Sequence, residues 1–227
     1  MDLRRGGFGV CWCFMSLQIH VLPAGPIETN AYLLIDASCG EAVLIDAPGD
    51  VWAQVSPLLA AAKCRLVELW LTHGHWDHMQ GAAEVVAATG ARVSAHVDDR
   101  ILLETPGVME VFLPSTIRLS PVRIDRWLVD GEGFEALGRA WEARHVPGHC
   151  PGSLLFWCEQ EGVAFCGDAI FQSGVGRTDF PGGSMARLEK SIRERIYTLP
   201  EQTLLYPGHG DKTMVRAERV GNPFVSG

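Results

Sequence analysis

The chain of 227 residues contains no uninterrupted apolar run of the roughly 18 residues that a membrane helix needs. Glycine or charge breaks every long candidate, and no membrane partner is expected. A Lys/Arg-rich stripe is also missing. With a formal charge of −8, the chain lacks the generic attraction that carries binding to a phosphate backbone, so nucleic acid is not an expected partner. Cysteine is present without a pattern: seven residues, an odd number scattered along the chain, do not make the even, dense framework of a small secreted domain. A reducing cytoplasm is the expected compartment. No Pro/Gly/Ser-rich linker, low-complexity tract or short-period repeat divides the sequence. GxxxxGK followed by Ser or Thr is absent, which argues against a nucleotide P-loop.

A hydrophobic content of 47% can fill a full core, and one domain is expected over residues 15–227. Residues 1–14 are expected to form a leader outside it. In MDLRRGGFGVCWCFM, Arg4 and Arg5 precede a short apolar stretch as in a secretory signal. Three glycines interrupt that stretch and no A-x-A-like cleavage site follows, so Met15 fits a working start better.

LQIHVL, NAYLLID and EAVLID have the composition of short strands, the last two separated by the turn-forming Ala37-Ser38-Cys39-Gly40. DVWAQVSPLLAAAK places Val51, Val55, Leu58, Leu59 and Ala62 on one helical face, with Pro57 either starting or kinking that helix. RLVELWLT is the next strand, GAAEVVAATG an alanine-rich helix closed by Gly90, and ARVSAHV a strand again. RIDRWLVD, RAWEARHV, SLLFWCE, GVAFCGD and TLLYPGHG continue the strand pattern. SMARLEKSIRERIYTL aligns Leu188, Ile192, Ile196 and Leu199 on a helical face. Two similar α/β halves are expected, their sheets packed face to face.

Three of the eight histidines lie within six residues of LWLTHGHWDHMQG. At an extended strand end, residues two apart face the same way, so His73 and His75 project together while Asp77 and His78 turn into the following helix. Four such donors in one small volume carry an electrostatic and desolvation cost unless a cation occupies the centre. Neutral imidazole and carboxylate are ordinary ligands of zinc and similar ions. Three later segments each end a strand-like run in a tight turn bearing a donor: HVPGHCPGS with His149, FCGD with Asp168, and LLYPGHG with His209. Strand ends are where a rigid sheet fixes such side chains.

In this order THGHWDH, PGHCPGS, CGD and PGHG resemble the metallo-β-lactamase fold superfamily, and the likeness runs through nearly the whole chain beyond Met15. FCGDAIFQSGVGRTDFPGG and the ending NPF are similar to its compact glyoxalase II-like branch, the hydroxyacylglutathione hydrolases. The resemblance implies an α/β fold, a four-layer αβ/βα sandwich of two mixed β-sheets flanked by helices, with two divalent metals at one sheet edge. It implies that His73, His75 and His149 hold the first metal, that Asp77, His78 and His209 hold the second, and that Asp168 bridges them. Zinc is the expected ion, and His/Asp donors also accept iron or manganese.

Seven donors exceed one tetrahedral ion, whereas a pair roughly 3.5 to 4 Å apart that shares a carboxylate and a water uses them all. The shared water, brought to a pKa of about 7, is the expected nucleophile, attacking an acyl carbon and expelling a thiolate. The expected enzyme is therefore a dinuclear thioester hydrolase acting on a small molecule, S-lactoylglutathione or a related acyl thioester, with Asp77 and Asp168 in catalytic roles. A mononuclear iron persulfide dioxygenase of the same fold, with a similar GRTDF loop, is the alternative; PGHG rather than PAH favours the hydrolase. Eighteen residues follow His209, too few for the added helical domain that supplies glutathione contacts in the longer hydrolases.

By the same resemblance Arg177, in the glycine-rich SGVGRTDFPGGS loop, is expected to grip an anionic substrate group, unless Asp179 pins it. Cys166, two residues before Asp168, is expected to pack rather than ligate. His20 and His96 are expected to be structural and Trp76 to pack or to wall the pocket; His145, four residues before His149, is only a candidate to orient a metal ligand.

Overall fold

The computed structural model describes residues 17–227; the expected leader over 1–14, and Met15, lie outside the described residues. The first sheet begins as the expected meander of β1 (Gln18–Ala24), β2 (Thr29–Asp36) and β3 (Glu41–Ile45), all antiparallel. It continues in parallel through β4 (Arg65–Trp70), β5 (Arg92–His96) and β6 (Arg126–Leu128). Antiparallel β7 (Glu132–Ala136), β8 (Arg139–His145), β9 (Leu154–Cys158) and β10 (Val163–Gly167) build the second sheet. After a small hairpin of β11 (Ile170–Phe171) and β12 (Gly174–Val175), β13 (Leu204–Pro207) adds to β10 in parallel and β14 (Thr213–Met214) closes the edge.

Side-chain alternation sorts each strand between two apolar layers. Leu33, Ile35, Leu44, Leu69 and Val93 face outward from the first sheet, under the helices α1 (Trp52–Ala62) and α3 (Ala82–Thr89), with the one-turn α2 (Trp76–Met79) between them in sequence. Their neighbours Tyr32, Leu34, Val43, Ile45 and Trp70 face the other way, against Trp141, Phe156, Phe165 and Tyr206 of the second sheet. On that sheet's far side, Leu155, Ala164, Cys166 and Leu205 meet Leu188, Ile192 and Ile196. The short α4 (Arg100–Glu104) covers the first sheet, and α5 (Met185–Ser191) runs into a π-helical turn over the second. The last helix, α6 (Val215–Gly221), adds Val215 to the outer layer of the second sheet. Three apolar layers between four structural ones make the expected αβ/βα sandwich. All eight residues of β2 are buried, which is why NAYLLID is nearly continuous in apolar residues: both of its faces are covered.

The interior between the sheets centres on Trp70, whose ring lies 5.1 Å from those of Phe134 and Trp141 and 5.2 Å from that of Phe156. Its indole N–H donates to Glu68 Oε2 at 2.6 Å, so the polar tip keeps a partner. Burying an aromatic or aliphatic side chain of this size contributes about 1.5 to 3 kcal/mol.

Pro57 neither starts nor stops α1; the helix opens at Trp52 and continues to Ala62. The carbonyl that the proline ring leaves without a helical partner belongs to exposed Ala53, where water can satisfy it. Among the described residues no helix is long and apolar enough to cross a membrane.

Candidate metal centre

The C-terminal ends of β4, β8, β10 and β13 point to one rim of the sandwich, and each delivers donors there. Beyond β4 the chain stays extended through His73 and His75; His75 is the N-cap of α2, with φ −67° and ψ 147°, so Asp77 and His78 fall in the first helical turn. His149 stands in the loop after β8, Asp168 directly after β10, and His209 in the turn after β13. All seven predicted donors meet at this rim. Within each of three groups, His73/His75/His149, His73/His78/Asp168 and Asp77/His78/His209, the donor atoms lie within 4.8 Å of one another.

Two glycines keep the space between these donors open. A Cβ on Gly208 would stand 2.0 Å from Asp168 Oδ1 and 2.6 Å from His78 Cε1, and one on Gly176 would stand 1.9 Å from the Asp168 carbonyl oxygen and 2.8 Å from His149 Nδ1. The PGHG turn is held from β2: the Asn30 backbone N–H donates to Gly208 O at 2.7 Å, and its side-chain amide to Pro207 O at 3.1 Å and Gly210 O at 2.9 Å.

A chain of hydrogen bonds fixes which ring nitrogens face inward. His78 Nδ1 lies 2.8 Å from Asp46 Oδ2, which can only accept, so Nδ1 carries a proton and Nε2 turns inward, presenting a lone pair whenever the ring is neutral. Asp46 also accepts from the backbone N–H and the hydroxyl of Thr72, each at 2.7 Å. With its proton committed to Asp46, the Thr72 oxygen accepts from His73 Nδ1 at 3.1 Å, leaving His73 Nε2 as a lone pair too. His149 Nδ1 donates to the Arg177 carbonyl at 2.7 Å. Asp46 holds φ at +58° to reach these partners, a conformation that Asp tolerates better than most residues.

The inward-facing nitrogens and oxygens crowd together. His78 Nε2 and Asp168 Oδ1 are buried without a hydrogen-bond partner and stand 3.3 Å apart. His149 Nε2 faces His73 Nε2 at 3.2 Å and His75 Nδ1 at 2.8 Å, and His209 Nε2 faces Asp77 Oδ2 at 3.2 Å. Acceptors brought to this separation in a buried site repel unless a proton or a cation lies between them. The donor set therefore fits divalent cations.

The electrostatics divide the site in two. Burial, then the facing His78, His75 and His149 rings, holds His73 well below the ordinary imidazole range, and burial with His149 pushes His75 down to about 3. Burial opposes charge on His78 as well, but the carboxylates of Asp77, Asp168 and Asp46 outweigh it and raise the ring well above its ordinary value. Burial likewise works against charge on Asp77 and Asp168, yet His78 leads the groups that hold both carboxyls low. The carboxylate side thus retains a proton where a cation would replace it.

Beside the donors opens a cavity of about 890 Å³ walled by Trp76, Phe171, Phe180 and Arg177 among others. The Arg177 fork is already engaged: Nε and Nη2 each donate to Asp179 at 2.7 Å, and the guanidinium lies 4.1 Å over the Phe180 ring. His145 touches no donor; it bonds the Pro151 carbonyl at 2.7 Å and stacks on His96 at 3.9 Å, so His96 has the partner its sequence context did not reveal. Cys166 packs under the helices, its thiol near the Ile170 and Tyr206 carbonyls. Sequence patterns missed Asp46, Thr72, Thr29 and Asp99. Thr29 Oγ1 donates to Asp77 at 2.8 Å, and Asp99 ties Gly74 N–H at 2.8 Å to Gly152 N–H at 2.6 Å. Asp46, Thr72 and Asp99 lie just beyond the ends of β3, β4 and β5, which was their one signal, whereas Thr29 opens β2 and carried none.

The chain belongs to the metallo-β-lactamase superfamily, whose family model matches residues 24–209. It is 33% identical over 214 residues to the hydroxyacylglutathione hydrolase GloC of Haemophilus influenzae, covering 92% of this chain and 99% of that protein. To the mitochondrial persulfide dioxygenase ETHE1 of Bos taurus it is 35% identical over 202 residues, covering 87% and 72%. Among solved structures, the BLEG-1 B3 metallo-β-lactamase superposes with a TM-score of 0.85 at 33% identity, covering 92% of this chain and all of that one. TTHA1623 in a di-iron-bound form superposes with a TM-score of 0.78 at 31% identity, covering 91% and 100%. Membership of this superfamily and the His/Asp clusters together support a metalloenzyme.

Proposed function

We propose that the seven donors hold two divalent cations and that the protein is a dinuclear metallohydrolase cleaving an acyl thioester. The carrying observation is the position of Asp168: its Oδ2 is 3.5 Å from both His149 Nε2 and His209 Nε2, and its Oδ1 is 3.3 Å from His78 Nε2. One carboxylate faces both donor groups. His73, His75 and His149 would hold one cation, Asp77, His78 and His209 the other, and Asp168 both. When bound, such a pair supplies Lewis acidity toward a carbonyl and makes water acidic enough to lose a proton near neutral pH.

The chain's own residues prepare that chemistry. Asp46 and Thr72 set the tautomers of His78 and His73, Thr29 steadies Asp77, and the Phe171 and Phe180 rings wall the site. Zinc, iron and manganese all suit these donors; the di-iron neighbour supports iron as readily as the family resemblance supports zinc. The hydroxyacylglutathione hydrolase relative supports thioester cleavage and makes S-lactoylglutathione the first substrate to assay. The five described cysteines, all free, accord with a cytoplasmic location.

The persulfide dioxygenase relative supports a second reading, in which two histidines and Asp168 hold a single iron. That arrangement would leave the metal-ligating group of Asp77, His78 and His209 without an ion, which favours the dinuclear reading. Metal content, S-lactoylglutathione hydrolysis and oxygen uptake on glutathione persulfide, measured on one preparation, separate the two. Two ions per chain with thioester cleavage are expected; one iron with substrate-dependent oxygen uptake would replace the hydrolase with the dioxygenase.

A further inference from the structure

The cavity beside the donors, at about 890 Å³, has the size of a small-molecule site. Its wall is almost free of polarity. Apart from His75, Asp77, His149, Asp168 and His209, the only charged side chains lining it among the described residues are Asp98 and Arg177, and no hydroxyl or amide side chain reaches it. Leu102, Met109, Phe112, Leu113, Ile117 and Phe180 supply much of the remaining surface. Ile27, Ile101, Val108 and Phe112, all lining residues, are 49%, 60%, 41% and 62% exposed. Apolar surface of this kind, left open to water around one opening, marks a place where a ligand covers it.

The charges argue in the same direction. A glutathionyl group carries two carboxylates and one ammonium, and each needs a partner when taken from water. The single cation of this wall is bound at both fork nitrogens by Asp179 and lies over Phe180, while Asp98 would repel a carboxylate. An apolar chain, by contrast, would remove the exposed wall from water at no polar cost.

Resting on the hydrolase reading above, the geometry points to an acyl thioester whose acyl group is an extended apolar chain as the substrate class, in place of a short hydroxyacyl group on glutathione. In that hydrolysis a water oxygen bonds to the acyl carbon and the C–S bond breaks with its electron pair going to sulfur. The products are a carboxylate and a thiol; of the water's two protons, one goes to the sulfur and the other is released to solvent.

The test is kcat/KM of the metal-loaded protein for acetyl, butanoyl, hexanoyl and octanoyl thioesters of N-acetylcysteamine, beside S-lactoylglutathione. A rise of about fourfold per methylene is expected, with S-lactoylglutathione below the hexanoyl ester. A flat or falling series, or S-lactoylglutathione as the best substrate, overturns the inference. Phe112→Asp and Ile101→Asp, both at exposed positions that the fold can tolerate, should each flatten the rise and lower the octanoyl value about tenfold; octanoyl values unchanged in both would also overturn it. If no thioester is cleaved, the hydrolase reading fails, and the cavity is still decided by calorimetric titration with octyl and ethyl thioethers of the same thiol. Octyl binding at least tenfold tighter sustains an apolar ligand; equal affinities end it.

Discussion

The two ends of β2 treat buried polar groups in opposite ways. At its C-terminal end, Asp36 accepts from the Ser38 backbone N–H at 2.8 Å, from the Ser38 hydroxyl, and from Arg139 at 2.5 Å; Arg139 also reaches Glu161. Each acceptor there meets a donor. At its N-terminal end, Thr29 and Asn30 brace a cluster in which imidazole nitrogens and carboxylate oxygens crowd one another, and His78 Nε2 and Asp168 Oδ1 have no hydrogen-bond partner. So many buried donor atoms in one small volume are costly unless a proton or a group from outside the chain lies among them. Matching marks the structural end of the strand, and deliberate mismatch marks the end that binds.

Asp168→Ala breaks this contrast most severely. It removes the one carboxylate facing both donor groups, so metal content measured by atomic emission should fall from two ions per chain. Activity should drop by more than the roughly 10- to 100-fold that losing an outer partner costs. Two ions and normal turnover in this variant would refute the shared role of Asp168. Asp46→Asn is the next largest. It keeps all seven donors but weakens the acceptor that orients His78 and Thr72, and metal affinity or activity should fall about 10- to 100-fold. An unaltered metal titration would show that the ring tautomers are set elsewhere.

Much of this contrast is legible in the order of the amino acids, and the unread part has a physical cause. His73, His75, Asp77 and His78 are close in sequence, and His149, Asp168 and His209 each follow an apolar strand in a glycine-bearing turn, so local pattern locates the donors. Asp46 directly follows β3 and Asp36 is the last residue of β2, and nothing in EAVLID or LLID says that one aspartate will orient a histidine while the other pairs with Arg139. That distinction depends on partners 32 and 103 residues away. The layers are legible through period-two alternation. The hairpin of β11 and β12 and the edge strand β14, two residues each, are too short to carry a period, and β7 is only half-buried.

Arg139→Met sharpens the contrast from the matched end. It should leave metal content unchanged while costing about 1 to 3 kcal/mol of stability in chemical denaturation, because Asp36 loses a charged donor in a mostly buried setting. The pH dependence follows in sign. Burial alone would raise the Asp36 carboxyl, but Ser38 and Arg139 outweigh it and hold the group below its ordinary value. Its stabilisation is therefore present above the unfolded carboxyl pKa near 4 and is lost as pH falls through the lower folded value. Arg139→Met should flatten that acid limb, and an unchanged limb would remove Asp36 as its source.

Arg177 gives the smallest effect and the most pointed test, because it is a matched group standing at the mismatched end. Its fork is filled by Asp179 and its face by Phe180, so by the rule of matching it belongs with the structural groups despite lining the cavity. Arg177→Ala removes no contact to His149, which depends on the backbone carbonyl of residue 177 rather than on its side chain. Exposed ion pairs contribute little and are screened by salt, so KM for an anionic thioester should change by less than about threefold. A tenfold rise in KM confined to anionic thioesters, with kcat preserved, would mean that substrate displaces Asp179 from the fork. Matching would then describe only the ligand-free state, and Arg177 would return as the anchor its place in the GRTDF loop suggested.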